Sequence, residues 1–371
     1  MTNLAVIWPE NVRKYAEKKG IGIIDFPSDR LVEFELRKVG AIISGKKHWL
    51  PHIRLRNYGS MIIKLPEAIV RGRNLSVIHN NALLAGGYAH SYNWVAMGGF
   101  GLSLDRVGCV WPPTPIVEIP ENTELFVIGI TSHFGHFFTD CLDRLLAVDR
   151  AGMTKSARYI IDGRPPEQVR QLIELLGIDF PESNWHILDP NWDYKVKNVN
   201  VVTLCSEKPA ISSSTFQMLR DRVLAKFPQP ASGPRSIYVG RKLVKKRRIL
   251  NQDEVVRDLE ALNFSTFYPE EHGFSSAVDA FRSAEVIVMV LGSSKFNLAF
   301  CRPGARVICL VPEGYAENSG AVSIMLRQLC TLFQLELCFC VCKVSGSNMG
   351  LDSNFMIDFN DIRQAFRALG S

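Results

Sequence analysis

From Glu124 to the end of the chain, short apolar segments typical of strands alternate with amphipathic segments typical of helices. The strand-like segments include ELFVIGI, RYIID, SIYVGR, EVIVMVL, ARVICLV and ELCFCVC, and a helical pattern follows most of them. Such alternation predicts βαβ units, and βαβ units build a parallel sheet whose faces are covered by helices. The predicted fold class is therefore α/β.

A segment rich in Pro, Gly and Ser at 227–236 (FPQPASGPRS) separates two alternating regions and predicts an interdomain linker. We expect an N-terminal α/β domain over 1–230, a C-terminal α/β domain over 231–350, and a final strand and helix over 351–371. Short strand-like runs and a glycine-rich stretch at 86–101 predict irregular, β-rich elements in the first 120 residues. Two tandem α/β domains place a crevice between them, and ligands of such sheets bind beyond the carboxyl ends of the strands.

The net charge of +6 comes from one segment, RKLVKKRR at 241–248, which holds six basic residues and no acid. Without it, the remaining basic residues equal the 37 acidic residues in number. This concentration indicates a local site for a compact anion such as a diphosphate rather than a nucleic-acid surface. A solvated basic loop is the alternative.

The cysteine content and the hydropathy of the chain indicate the cellular compartment in which we expect the protein. Nine cysteines, an odd number without a CxxC pair, predict reduced thiols rather than disulfides or a zinc site, and the alternating Cys338, Cys340 and Cys342 predict one apolar strand face. No apolar run approaches the roughly 20 residues of a membrane span, and the first nine residues lack a signal-peptide pattern. We expect a cytoplasmic protein.

The helix that follows ELFVIGI carries His136, Asp140 and Arg144, which are spaced by four and share one face. A carboxylate four residues from a histidine can orient it or share its proton, as general base catalysis requires. An ordinary polar helix face is one alternative. A metal site made by His133, His136 and Asp140 is another, although Gly135 indicates that His133 lies in the loop or in the first turn of the helix.

A second group of chemistry-bearing residues surrounds the basic segment. Arg241 ends the SIYVGR strand, and Arg247 and Arg248 precede a helix that begins near Asn251, where Glu254 completes a capping-box pattern. Arginine forks match phosphate oxygens, and a helix N-terminus adds backbone donors. We predict an anion cradle made of strand, basic loop and helix start.

The turn GSSKFN at 292–297 joins the apolar strand EVIVMVL to a helical segment. Its Gly292, Ser293 and Ser294 allow a phosphate to approach the backbone closely, although it is not a P-loop and an ordinary tight turn is the alternative. The chain contains no Asp-x-Asp triplet that could hold a divalent ion against a diphosphate. The cations available to neutralise a leaving group are Arg241, Arg247, Arg248 and Lys295.

Taken in order, four segments resemble glycosyltransferase family 61, which includes bacterial capsular polysaccharide biosynthesis proteins and plant and animal xylosyl- and N-acetylglucosaminyltransferases. They are HFFTDCLDRL (136–145), GRKLVKKRRILNQDEV (240–255), GFSSAVDAFRSAEVIV (273–288) and LGSSKFNLAFCRPGARV (291–307). The resemblance implies two Rossmann-like domains facing across a cleft (GT-B type). It also implies an inverting, metal-independent enzyme, without a cofactor, that moves a sugar from a nucleotide donor to a polysaccharide or glycan acceptor.

The resemblance also implies roles for residues. Those that would face the donor are Arg241, Arg248, Asn251, Gly292, Ser293, Ser294 and Asn297. His136 and Asp140 would face the acceptor, and we favour Asp140 as the base with His136 orienting it or relaying the proton. Where the family commonly has His-Gly-Ala-Gly, this chain has Leu291-Gly292-Ser293-Ser294, which leaves the serines or Lys295 to contact the diphosphate, or leaves the site impaired.

The expected partners are a nucleotide-sugar donor and a glycan or lipid-linked acceptor in bacterial capsular or exopolysaccharide biosynthesis. A lipid-linked acceptor is compatible with peripheral association at the inner face of the membrane, and no nucleic acid is expected. Leu291 motivates an alternative from a different class, a catalytically silent binding or scaffold protein in surface polysaccharide assembly. Nucleic-acid binding through 241–248 is a third hypothesis, opposed by the balanced charge elsewhere.

Overall fold

The predicted alternation of strands and helices occurs in two compact units of the chain. Met1–Glu33 and Arg56–Thr215 form the first unit, and Phe34–Leu55 and Phe216–Ser371 form the second. The structure is a computed structural model. It describes residues 2–7, 11–26, 33–36, 39–50, 53–56, 60–84, 101–102, 108–111, 114–120, 124–129, 131–203, 211–228, 233–242, 247–313, 321–345 and 353–370.

The strands are numbered in chain order. They are β1 (Thr2–Ile7), β2 (Gly22–Asp25), β3 (Glu33–Leu36), β4 (Val39–Ile43), β5 (Lys46–Leu50), β6 (Ile53–Arg56), β7 (Met61–Arg71), β8 (Val77–His79), β9 (Ala82–Leu84), β10 (Gly101–Leu102), β11 (Gly108–Trp111), β12 (Ile116–Glu118), β13 (Leu125–Gly129), β14 (Arg158–Ile161), β15 (Trp185–Ile187), β16 (Asp193–Val202), β17 (Ser236–Val239), β18 (Ser265–Phe267), β19 (Val286–Val290), β20 (Arg306–Pro312) and β21 (Glu336–Cys342).

The α-helices are α1 (Val12–Lys18), α2 (Phe134–His136), α3 (Leu142–Arg150), α4 (Glu167–Leu175), α5 (Ser213–Leu224), α6 (Gln252–Glu260), α7 (Phe274–Ser283), α8 (Ala321–Leu332) and α9 (Phe359–Leu369). A π-helical turn, Phe137–Cys141, joins α2 to α3, and 3₁₀ helices span Glu182–Asn184, Pro269–Glu271 and Ser293–Phe300.

The sheet of the second unit has the order β18-β17-β19-β20-β21-β4-β5 within the described residues. All neighbours from β18 to β4 are parallel, and the hairpin strand β5 is antiparallel at the edge. In chain order, β17 to β21 are arranged 2-1-3-4-5, which is a doubly wound order. The direction of winding reverses between β17 and β19, so the connections that follow these two strands diverge there.

The hairpin of β4 and β5 belongs to the second unit because β4 pairs with β21 along four residues. The sequence analysis placed these residues in the N-terminal domain, since nothing local marks a strand whose partner lies about 300 residues later. The turn between the two strands contains Ser44 and Gly45, both with positive φ, as a tight hairpin turn requires. The last boundary between the two units lies between Thr215 and Phe216, before the predicted linker at 227–236.

Alternating apolar residues of the central strands form one core layer of the second unit. Val286, Val288 and Val290 of β19 lie in the same buried cluster as Cys338 and Cys340 of β21. Residues from α6 and α9 complete this cluster and cover that face of the sheet. All the cysteines in the described part of the chain are buried thiols outside any disulfide, and Cys338, Cys340 and Cys342 belong to one core cluster, so the prediction that the alternating cysteines line a core is confirmed.

The first unit is built on a mixed sheet of twelve described strands. The long strands β7 and β16 pair antiparallel, and β13 lies between β16 and β14 with both pairings parallel. The five residues of β13 are all buried, as expected for a central parallel strand. The β-rich N-terminal half and the α/β unit that begins at Glu124 are therefore both present, and the overall α/β class is confirmed.

Some local predictions differ from the structure. FMIDF forms only isolated bridges at Phe355 rather than a strand in the described residues. The helix predicted after the GSSKFN turn is a 3₁₀ helix. Asn251 occupies the N-cap position of α6, but its side chain makes no capping hydrogen bond, so the capping-box prediction was wrong. Most of the glycine-rich stretch at 86–101 lies outside the described residues.

In the described part of the chain, no helix has both the length and the apolar character that crossing a bilayer requires.

The turn after β7 imposes a tight packing constraint on Gly72. A Cβ atom at this position would lie 2.0 Å from the carbonyl oxygen of Asp189, while the Gly72 amide donates to Trp192 O at 2.9 Å. We expect Gly72→Ala to lower the free energy of unfolding by about 3 kcal/mol, because the backbone at Gly72 or at Asp189 and Trp192 would have to move. Urea unfolding at neutral pH measures the change.

Gly22→Ala is the matched control, since a Cβ there would meet Lys64 at an ordinary 3.7 Å. We expect it to change stability by less than about 1 kcal/mol. Equal effects of the two substitutions would contradict the close approach at Gly72.

Candidate functional site

In the first unit, the candidate site follows the carboxyl end of β13. Gly129 ends the strand with φ 120°, a conformation that favours glycine, and the chain then passes through Thr131 and Ser132 into α2. Both backbone amides donate to Asp162, which directly follows the neighbouring strand β14, at 2.7 and 3.2 Å. The Ser132 hydroxyl donates to the same carboxylate at 2.5 Å. Asp162 thus fixes the loop that leads into the helix.

His133 is the N-cap of α2. Its backbone is extended, and its Nδ1 accepts hydrogen bonds from the amides of Gly135 at 3.1 Å and His136 at 3.3 Å. A histidine side chain here replaces the usual Ser, Thr, Asp or Asn cap. His133 therefore lies where the loop meets the first turn, in agreement with the sequence prediction.

His136 and Asp140 form a hydrogen-bonded pair across the π-helical turn. His136 Nδ1 lies 2.9 Å from Asp140 Oδ2, and the Thr139 hydroxyl donates to the same oxygen at 2.9 Å. Asp140 is completely buried, whereas 40% of the His136 side chain is exposed. An ionised carboxylate only accepts, so the proton between the two groups belongs to Nδ1, and Nε2 of a neutral imidazole is then an acceptor.

The wider π turn, Phe137–Cys141, follows His136 directly and carries Asp140, which is buried there together with Phe137, Phe138 and Cys141. Such turns occur often at functional sites. Arg144, the third residue of the predicted face, is buried instead and donates to Val202 O and Ile128 O, both at 3.0 Å. Arg144 therefore holds α3 against the ends of β16 and β13.

In the second unit, the candidate site lies beyond the carboxyl ends of β17 and β19, the two strands between which the winding reverses. Gly240 and Arg241 follow β17, and Leu291 and Gly292 follow β19. The Arg241 guanidinium lies against the Gly292 backbone, because a Cβ built on Gly292 would be 3.6 to 3.8 Å from its atoms. The resemblance implied that both segments face the donor, and the structure brings Arg241 and Gly292 together.

Arg247 reaches the same turn from the basic segment. Its Nη1 donates to Leu291 O at 3.2 Å, and its backbone has a positive φ of 55°. A non-glycine residue in this conformation carries strain and is over-represented at binding sites. The part of the basic segment between Lys242 and Arg247 lies outside the described residues.

Lys295 is buried beneath this turn, in the first turn of the 3₁₀ helix Ser293–Phe300, with 5% of its surface exposed. Burial, together with the positive charge of Arg247, lowers the pKa of Lys295 to about 7. Cys309 is the remaining group that acts on it, and no carboxylate in the described part of the chain does so. A second cation beside a buried amine is an arrangement that favours an anion nearby.

Other predicted donor residues differ in their surroundings. Ser293 and Ser294 are half-buried at the start of the 3₁₀ helix. Asn297 is buried, and its Oδ1 has no hydrogen-bond partner among the described residues. Arg248 is exposed, and its backbone amide donates to Asn354 Oδ1 at 2.9 Å.

Asn251 has a structural role that the sequence did not indicate. Its Nδ2 donates to Ile357 O at 2.8 Å, and its Oδ1 accepts from Ile357 N at 3.0 Å. Both amide atoms thus hold the segment that leads into α9. This partner lies 106 residues later in the chain, so local spacing could not reveal it.

No group of three or more His, Cys, Asp or Glu side chains in the described residues is arranged to hold a metal ion. The residues His133, His136 and Asp140 do not form such a group, so the alternative of a metal site there is not supported. The expectation of a metal-independent reaction stays a prediction.

One known family matches a part of the chain that includes residues of both candidate sites. The family model described as Glycosyltransferase 61 matches residues 134–308, a range that begins at α2 and extends through the turn after β19 into β20. The chain therefore carries a glycosyltransferase family 61 domain, and the protein is a glycosyltransferase. No curated protein matches the chain significantly.

The shifted pKa of Lys295 predicts a pH dependence of stability. The pKa falls from 10.5 in the unfolded chain to about 7 in the folded chain, so the unfolded chain binds more protons between these values. The free energy of unfolding should then rise with pH from 7 to about 10, by up to about 1.4 kcal/mol per unit from this group. Lys295→Met should remove this rise, as urea unfolding at several pH values would show.

Lys242→Met is the control, because Lys242 is exposed and pairs with Glu271 at 2.7 Å. Its stability curve should parallel that of the wild type over the same range. A Lys295→Met curve that also runs parallel would contradict the unusual state of the buried amine.

Proposed function

We propose that the protein is an inverting, metal-independent glycosyltransferase that uses a nucleotide-sugar donor and a polysaccharide or glycan acceptor, with its two units arranged as in GT-B enzymes. The family match supports glycosyl transfer. The observation that carries the nucleotide donor is the meeting of Arg241, Arg247 and Lys295 at the turn after β19. Cytoplasmic location and peripheral membrane association stay predictions of the sequence.

The donor diphosphate is proposed to bind at the turn Leu291–Lys295. Arg241, which lies against Gly292, supplies a planar fork for two phosphate oxygens. Arg247 and Lys295 add positive charge next to the turn. The hydroxyl groups of Ser293 and Ser294 are available as hydrogen-bond donors. The family's usual histidine is replaced by Leu291, so these cations are proposed to neutralise the charge that develops on the leaving diphosphate.

Three further residues from the sequence prediction have different roles in this proposal. Arg248 is exposed and is proposed to contact the donor from the rim of the site. Asn251 is proposed to act indirectly, by holding the segment before α9 through Ile357. The unpartnered Oδ1 of the buried Asn297 is proposed to accept a hydrogen bond when the site is filled.

Removal of the Arg241 guanidinium tests the donor site. Isothermal titration of the full chain with UDP, GDP and ADP should show binding of at least one diphosphate by the wild type. Arg241→Ala should weaken that binding about 30-fold, because a charged hydrogen-bond pair at a partly desolvated site contributes about 2 kcal/mol.

Arg235→Ala provides a matched control. Arg235 lies just before the amino end of β17, is exposed and pairs with Glu285 at 2.6 Å. This variant should bind within about threefold of the wild type, since exposed pairs contribute little. A wild type that binds none of the three diphosphates would contradict the donor site and favour the silent scaffold expected as the alternative.

The acceptor hydroxyl is proposed to be deprotonated by His136, with Asp140 as a positioning residue. The buried carboxylate holds Nδ1–H, and the imidazole is the partly exposed group that an acceptor can reach. In the reaction, the acceptor proton moves to Nε2 while its oxygen forms a bond to the anomeric carbon. The bond from that carbon to the diphosphate oxygen breaks, and the nucleoside diphosphate leaves with the electron pair.

This proposal exchanges the roles that the sequence favoured, in which Asp140 was the base. Spacing by four residues puts the two side chains in contact but does not say which of them faces solvent. The exchange rests on the complete burial of Asp140 and on its second hydrogen bond, from Thr139.

Chemical rescue distinguishes the two assignments. His136→Gly should lower kcat about 10³-fold with unchanged affinity for the diphosphate probe, and added imidazole should restore part of the rate, because the variant lacks only the base. Asp140→Asn should lower kcat about 100-fold or more without rescue, since the amide leaves the imidazole wrongly oriented.

Thr139→Val serves as the control and should reduce kcat only a few-fold, because it removes one of two hydrogen bonds to Asp140. Transfer assays with nucleotide-sugar donors measure all three variants. Near-normal activity of His136→Gly would refute its role as the base.

A further inference from the structure

A large groove lies at the edge of the sheet of the second unit, away from the site just described. We call it the Trp49 groove, and it is defined here by Gly40, Lys47, Trp49, Gln334, Glu336 and Leu369. Its volume is about 780 Å³, within the range of about 300 to 1,000 Å³ that is typical of ligand sites.

The groove opens at the amino ends of the parallel strands. Val39 and Glu336, which begin β4 and β21, both line it. Arg241 and Gly292 instead follow the carboxyl ends of β17 and β19, and all of these strands are parallel neighbours in one sheet. The groove is therefore at the opposite edge of the sheet from the proposed donor site.

Trp49 forms one wall of the groove. It projects from the edge strand β5, opposite Gly40 of β4, and 61% of its surface is exposed. Gly40 and Cys338 line the groove together with Trp49, as do Ala368 and Leu369 at the end of α9. Gly40 adds no side chain to this lining.

Polar groups lie beside this apolar surface. The ammonium group of Lys47 is 4.9 Å from the centroid of the Trp49 ring. Gln334, Glu336 and Thr331 line the same groove and supply further donors and acceptors. An acyl chain or an apolar helix would leave these polar groups without partners, so the lining does not suit a purely apolar occupant.

A sugar ring matches this combination of surfaces. The axial C–H groups of a pyranose form an apolar face that stacks on an indole, whose face is electron-rich. The hydroxyl groups at the ring edge need hydrogen-bond partners of the kind that amide, carboxylate and ammonium side chains provide. An exposed tryptophan costs little entropy to immobilise, which suits an anchoring role.

We propose that the Trp49 groove binds an oligosaccharide, namely a part of the glycan acceptor that lies away from the reacting end. The choice of a glycan as occupant rests on the proposed function. The groove would increase the affinity for long acceptors by holding several sugar rings, and it would have no part in the chemical step.

Binding of oligosaccharides without any donor tests the proposal. The full chain is titrated with xylohexaose, chitohexaose, cellohexaose and maltohexaose, and tryptophan fluorescence and isothermal titration are recorded. At least one should bind the wild type, with a change in fluorescence. Trp49→Ala should weaken that binding about tenfold or more, and Trp49→Phe, which keeps an aromatic face, should weaken it less.

Trp192→Ala is the matched control, since Trp192 is also exposed, at 39%, but lies in the first unit. It should bind the oligosaccharide as the wild type does. Circular dichroism and thermal unfolding check that every variant is folded. If no oligosaccharide binds, or if Trp49→Ala binds as the wild type does, the proposal is wrong.

Failure of this proposal and failure of the proposed function give different results. Binding of UDP, GDP or ADP depends on Arg241 and not on Trp49, so Trp49→Ala should keep it unchanged. With a transferred sugar, Trp49→Ala should raise KM for long acceptors about tenfold and leave kcat for short acceptors unchanged. Oligosaccharide binding without any sugar transfer would support the proposed role of the Trp49 groove and contradict the proposed function as a glycosyltransferase.

Discussion

The parallel pairing of β17 with β19, at the point where the winding of the sheet reverses, determines the arrangement of the second unit's site. The chain leaves these neighbouring strands in diverging directions, so side chains from both connections can enter the space beyond their carboxyl ends. Arg241 lies against Gly292 for this reason, and the Leu291 carbonyl is available to Arg247. Without this pairing, the basic segment and the turn that follows β19 would not meet.

Charge is compensated differently in the two units. In the first, the buried carboxylate of Asp140 accepts hydrogen bonds from His136 and Thr139 within the same helix. In the second, the buried amine of Lys295 lies near Arg247, and desolvation and like charge both disfavour its protonated form. A bound anion would offset this unfavourable energy, so the cations that lower the stability of the folded chain would contribute to anion binding.

Much of the fold could be predicted from periodicity because strand and helix patterns are local. The segments around β13, β14 and β17 to β21, and the helices between them, lie where the pattern placed them. The structure differs from these predictions where a residue's partner is distant in the chain. Examples are β4, which pairs with β21, and Asn251, which binds Ile357. The sequence did not indicate a role for Asp162, because its hydrogen bonds to the loop after β13 depend on the pairing of β13 with β14.

The amino-acid sequence by itself determined the α/β class, the contact between His136 and Asp140, and the kinds of side chain at the carboxyl ends of β17 and β19. These follow from hydrophobic period and short spacing, which act over a few residues. Only the tertiary structure decided that Asp140 is buried while His136 is partly exposed, that Lys295 lies beneath the turn, and that Trp49 lines an open groove. Burial depends on which surfaces from distant parts of the chain come together, and a local pattern does not contain that information.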